Sequence, residues 1–131
     1  MKILTIVEPF ASLIKNKKKY IETRSWKTSY RGELFIHASN KKIPKEWKDN
    51  PNYMISSEVN YGKIICKCRL VDCIYMDEDF INKIKENNYD EYLLGIYKVG
   101  RYAWVLDDIE EIEPISAKGH LGIWNFDTNK K

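Results

Sequence analysis

The chain lacks long apolar runs; Tyr102-Ala103-Trp104-Val105-Leu106 is as long as they become. A transmembrane helix needs about 20 such residues, so a helical membrane span is excluded. The segment from Met1 to Val7 meets Glu8 and Pro9 before an apolar signal core can form, and no signal peptide is expected. An excess of one charge is also missing. Lys and Arg total 22 and Asp and Glu total 19, a net charge of +3, so the sum alone does not announce a nucleic-acid binder. Cysteine is scarce and odd in number: Cys66, Cys68 and Cys73. Cys66 and Cys68 are two apart on an expected strand, so they share a face without the spacing of a metal site. They read as reduced, buried or half-buried thiols of a cytoplasmic protein. With two histidines and no ligand spacing, neither a metal nor a cofactor is expected. No Ser/His/Asp order, HExxH, P-loop or Rossmann glycine pattern occurs.

What is present is enough for one domain of 131 residues, with 44% hydrophobic and 13% aromatic positions. Residues 2–7 alternate and read as a strand. Glu8-Pro9 opens a short helix with Phe10, Leu13 and Ile14 as its apolar stripe, closed by the Lys-rich run 15–19. Residues 20–26 and 33–39 read as strands joined at Arg31-Gly32. Residues 40–61 form a polar excursion with one short helix near Glu46-Trp47. A long strand runs over 63–76, a helix over 78–87 stops at Asn87-Asn88, and a strand over 101–112 is broken by Pro114. A last strand spans 121–126. So many strands with so few crossovers predict an α+β fold, a small closed barrel that is mixed but mostly antiparallel, with short helices at its ends.

The charge is unevenly distributed. Between Lys15 and Lys48 there are 11 Lys and Arg but only 3 acids, interleaved with Tyr20, Trp26, Tyr30 and Trp47. That composition suits phosphates and stacked bases, and equally a solvated lysine face. On the second strand, alternation puts Tyr20, Glu22, Arg24 and Trp26 on one side. Two readings stand for this face. It clamps a planar polar ligand, or its Glu–Arg pair only orders the barrel mouth. His37 reads as a satisfied structural histidine when taken alone, and as a ligand contact when taken with that mouth.

Four segments then match one family in order: Leu4 to Ile14, Lys19 to Trp26, Tyr30-Arg31-Gly32 and Ile36-His37-Ala38-Ser39. Later segments Val71-Asp72-Cys73, Gly100 to Leu106 and Lys118 to Trp124 extend the match over nearly the whole chain. The sequence resembles the ASCH domain family, whose signature is GxKxxExR and whose fold is a PUA-like barrel. The resemblance implies a single ASCH domain over 1–131 and a cleft that binds RNA or DNA. The signature's Lys, Glu and Arg fall on Lys19, Glu22 and Arg24. Its Gly position holds Lys17, and Glu8 stands where many relatives carry Gln, which brings a carboxylate toward the cleft.

The ligand contacts implied are Lys19, Glu22, Arg24, Trp26, Tyr30, Arg31, His37 and Trp104. The partner is RNA or a nucleotide, with Lys19, Arg24 and Arg31 on phosphate or carbonyl oxygens and Trp26 or Trp104 stacking. One branch of this fold hydrolyses N4-acetylcytidine with a Lys, a Thr and a downstream Glu. On that alternative Lys19 and Glu22 are the catalytic pair, although Glu22 occupies the Thr position and cannot act as its hydroxyl would. A nuclease activity is also associated with the family, and nothing in this sequence specifies it. A protein partner on the aromatic surface is a third reading, which the basic mouth disfavours.

Overall fold

A computed structural model describes residues 1–55 and 58–127. Its elements are β1 (Lys2–Ile6), α1 (Phe10–Lys15), β2 (Ile21–Arg24), β3 (Gly32–Ala38), α2 (Lys45–Lys48), a 3₁₀ turn (Pro51–Tyr53), β4 (Lys63–Tyr75), α3 (Glu78–Asn87), α4 (Tyr89–Leu93), β5 (Tyr102–Ser116) and β6 (Ile123–Asn125). They build one six-stranded sheet in the order β2-β5-β4-β3-β1-β6. All pairings are antiparallel except β1 with β3. The α+β, PUA-like expectation holds, with one correction. The sheet curls into a half-barrel and does not close, because β2 and β6 remain as edges.

The curl comes from the two long strands. Between β4 and β5 the register shifts three times, at Ile64/Cys66, Lys67/Arg69 and Leu70/Asp72. Each bulge bends its strand and adds twist. This also corrects the expected break at Pro114. Ile64 pairs with Ile115 and Cys66 with Glu111, so Pro114 falls inside a bulge, where its missing N–H leaves no ladder bond unmade. The strand therefore continues to Ser116.

The concave face holds the core, with Leu4, Ile6, Ile14, Leu34, Ile36, Leu70, Trp104 and Leu106 all buried. Cys66 and Cys68 lie in it as free thiols, and burial pushes Cys68 up to about 12. On the outer face α3 lays Phe80, Ile81 and Ile84 against Ile21, Met76 and Ala103. Asp77 caps α3 by accepting from the Phe80 N–H at 2.7 Å. Helix α4 was not expected from the sequence. Asn88 ends α3 through its N–H on the Ile84 carbonyl, and its side chain accepts from the Glu91 N–H to start α4. No helix among the described residues is long and apolar enough to cross a membrane.

The turn after α1 explains the family glycine. Lys17 N–H bonds to the Ile14 carbonyl at 3.0 Å and Lys18 N–H to the Leu13 carbonyl at 2.9 Å. These are the paired bonds of a Schellman motif, whose C′ residue is left-handed and usually Gly. Lys17 occupies it with φ +62°.

Candidate functional site: the seam between β1 and β2

Because the half-barrel stays open, its free edge β2 faces β1 across a gap, and the two are not ladder partners. Arg24 bridges the gap. Its Nη2 donates to the Thr5 carbonyl at 2.9 Å and its Nε to Glu22 Oε2 at 3.0 Å. A groove of about 290 Å³ runs along this seam, lined by Thr5 and Val7 of β1, the stretch from Glu22 to Trp26, and Arg101. That is close to the lower end of small-molecule sites, about 300–1,000 Å³. Arg101 closes one wall, with Nη2 on the Thr23 carbonyl at 3.0 Å and Nε on the Ile96 carbonyl at 3.2 Å.

The aromatic wall is a pair. Trp26 is 38% exposed, whereas Trp104 is fully enclosed. The rings meet edge to face with centroids 4.7 Å apart, and Trp104 Nε1 donates to the Trp26 carbonyl at 3.2 Å. Trp26 is therefore partly open to solvent, and Trp104 packs against it while staying enclosed itself.

Lys19 lies deeper than the sequence implied. Its side chain is 1% exposed and its Nζ donates to the Ile21 carbonyl. Burial pushes its ammonium below the ordinary lysine value, and the nearby Glu22 and Glu91 carboxylates partly offset that. Gly95 makes the enclosure possible, since a Cβ there would lie 3.0 Å from Thr23 and Tyr97 and 3.6 Å from Lys19 Nζ. Lys19 thus lies behind the seam and is not among the residues that line it.

The remaining expected contacts are spread out. Tyr30 and Arg31 hold the β2–β3 connection, Tyr30 Oη donating to the Glu33 carbonyl at 2.5 Å. Arg31 Nη1 donates to the carbonyls of Thr28 and Tyr30 at 3.0 and 2.8 Å. Neither residue lines the seam. His37 is buried, with Nδ1 3.2 Å from Thr5 Oγ1 and Nε2 2.7 Å from the Ala117 carbonyl. It faces a recess of about 390 Å³ formed with Lys118 to Leu121, which shares Thr5 with the seam. The carboxylate of Glu8 does not reach the cleft: it is buried against α1 and accepts from Ser12 N–H at 2.8 Å and Ser12 Oγ at 2.5 Å.

Sequence reasoning missed Thr5, Val7 and Arg101, which join the site only through the curl. It also missed Glu91, whose Oε1 accepts the Tyr20 N–H at 2.6 Å, and Tyr97, whose buried hydroxyl has no hydrogen-bond partner among the described residues. A signal for Glu91 existed. An Asn followed three residues later by Glu is a helix-start pattern. Here, though, the Glu side chain does not return to its cap, because the Asn88 N–H is already bonded to Ile84.

No curated protein sequence is significantly similar to the chain. Among solved structures it is similar to the ASCH protein of Zymomonas mobilis, at 19% identity and TM-score 0.57 over 88% of this chain and 72% of that one. A Tyr-to-Phe mutant of the same protein matches equally, with 74% of that chain covered. At that identity the likeness establishes the fold. The ASCH domain family model matches residues 4–116. That span takes in the Lys19–Glu22–Arg24 signature and every residue that lines the seam, and the chain belongs to the ASCH domain family.

Proposed function

We propose that the seam takes an exposed nucleotide of single-stranded RNA. ASCH domains are associated with nucleic-acid binding. The observation that carries the reading is the convergence of Arg24, Arg101 and the exposed ring of Trp26 on one groove. Glu22 and Thr5 hold the Arg24 guanidinium in position, and a pre-positioned planar fork suits phosphate or a base carbonyl. Trp26 stacks the base, a contact that tolerates any sequence, and Glu22 accepts from an amino edge.

The test is fluorescence anisotropy with a short single-stranded RNA at two salt concentrations. Binding should weaken with salt, because displaced counterions drive it. Arg24→Ala should weaken it and flatten that salt dependence. Salt-independent binding, or unchanged affinity in Arg24→Ala, would sink the reading.

A second reading, hydrolysis of an N4-acylated cytidine, gains one observation: besides Glu22, a second carboxylate, Glu91, interacts with the buried Lys19 ammonium and would take the part of the downstream Glu. Water would add to the acyl carbon, the C–N bond would break, and cytidine would leave carrying the proton. Chromatography of N4-acetylcytidine incubated with the protein tests this. Cytidine release abolished in both Lys19→Ala and Glu91→Ala supports it, and no release by the intact protein removes it.

A further inference from the structure

The seam has a continuation across the sheet. Ladder pairing sets Arg24, the last residue of β2, opposite Tyr102, the first of β5, and Tyr102 opposite Tyr75, the last of β4. Residues directly opposite in antiparallel strands share a face. Arg24, Tyr102 and Tyr75 therefore form one row along the end of the sheet. Neighbouring strands lie about 4.8 Å apart, which sets Tyr75 about 10 Å beyond Arg24. One row further in, Glu22, Trp104 and Cys73 pair in the same way, and there Trp104 and Cys73 belong to the core.

The outer row is open where the inner one is closed. Tyr75 is 51% exposed, and its ring meets that of the half-buried Tyr102 edge to face, with centroids 5.6 Å apart. Among the described residues neither hydroxyl has a hydrogen-bond partner. Arg24 spends its Nε on Glu22 and one Nη2 bond on Thr5, so its Nη1 donors are uncommitted. The acid on the adjoining stretch of β4, Asp72, is offset by Arg31, whose guanidinium lies 3.8 Å from it. A row of one guanidinium and two aromatic rings, starting at the wall of a groove that already holds Trp26, has the chemistry of a strand-tracking surface. Sheets read single strands in this way, with aromatics on adjacent strands each taking a base.

We propose that single-stranded RNA seated in the seam continues over Arg24 and stacks its next base on Tyr75. Arg24 Nη1 donates to the phosphate between the two nucleotides. Tyr102 packs its ring against that of Tyr75 and fixes its orientation, and the free hydroxyls meet phosphate or ribose oxygens. The site is thus longer than one nucleotide. This inference rests on RNA binding in the seam, and Arg24→Ala and Tyr75→Ala report on the two separately.

Isothermal titration with CMP and with a cytidine tetranucleotide tests it. Tyr75→Ala should bind the tetranucleotide about tenfold more weakly than the parent and CMP equally well. Tyr75→Phe keeps the ring face and should retain the parent's tetranucleotide affinity within about threefold. Tyr89→Ala removes a tyrosine of similar exposure, 53%, from α4 and should bind both as the parent does. Weakening in Arg24→Ala together with full tetranucleotide affinity in Tyr75→Ala would leave the seam standing, free the tyrosine row for a protein partner, and overturn the proposal. Equal losses for CMP and the tetranucleotide in Tyr75→Ala would also overturn it, because the ring would then act on the seam. No binding of the tetranucleotide by the parent would remove both readings.

Discussion

Glu91 Oε1 accepts the backbone N–H of Tyr20 at 2.6 Å across 71 residues of chain. Through this bond a five-residue helix anchors the start of the strand that carries the family signature. The bond places one carboxylate at three points at once: the β2 backbone, the buried Lys19, and the wall of a cavity of about 470 Å³ that Lys17, Lys18 and Tyr20 also line. Burial raises the Glu91 carboxyl above its ordinary value, while Lys19 and the N–H groups of Tyr20 and Ile21 act the other way.

Lys17→Gly should stabilise the protein by about 1 kcal/mol, because glycine meets no Cβ penalty at the left-handed position of the turn after α1. Urea unfolding at neutral pH measures this. A loss of stability would show that the lysine side chain contributes more than its backbone conformation costs.

The two seam tryptophans should separate cleanly. Trp104→Ala opens a void in the core and should cost about 3–5 kcal/mol of stability. Trp26→Ala should leave the fold nearly intact and remove about 1–3 kcal/mol of RNA binding. Thermal melts and anisotropy on both variants check the division.

Glu8→Gln should change how stability depends on pH. Burial raises the Glu8 carboxyl above its ordinary 4.5, outweighing the Ser12 hydrogen bonds and Lys15 that lower it. The folded state then binds the proton more tightly than the unfolded one, so stability falls as pH rises from 4.5 through the raised value and is level above it. The slope approaches about 1.4 kcal/mol per pH unit inside that window. Denaturant unfolding at a series of pH values should show a smaller decline in the Gln variant. An identical decline would mean that Glu8 titrates normally.

Of the three thiols, only Cys73 should react promptly with an aromatic disulfide reagent in the native protein. Cys66 and Cys68 are buried, and burial raises both thiols, Cys68 to about 12. Time-resolved labelling should give one fast equivalent, with the others appearing only on unfolding. Three fast equivalents would contradict the packing of β4.

The strands were legible because their apolar alternation is strong. The alternation on β2 grouped Tyr20 with Glu22, Arg24 and Trp26, but only the last three line the seam, together with Thr23 and Ser25, while Tyr20 lines a different cavity. What stayed hidden depends on events at a distance. Three bulges between β4 and β5 carry the strand past Pro114 and leave the barrel open, and a bulge is a property of two strands together. Thr5 and Arg101 enter the seam only because that curl brings β1 to β2. The depth of Lys19 was invisible for the same reason. A lysine in a run of lysines reads as solvated, and only the passage of Gly95 over it closes it off.

The open sheet also bears on how the molecule meets copies of itself. A half-barrel leaves two rows of backbone groups able to recruit another chain, yet its longest strands, β4 and β5, lie inside the sheet. The rims are β2 and β6, of four and three residues. Rims that short, one of them carrying the Glu22–Arg24 charge pair, give a foreign strand little to zip onto. The strand that carries the recognition signature is therefore also one of the features that guard the fold against self-assembly. Lengthening β2 or neutralising its charges to tighten ligand binding would weaken that guard.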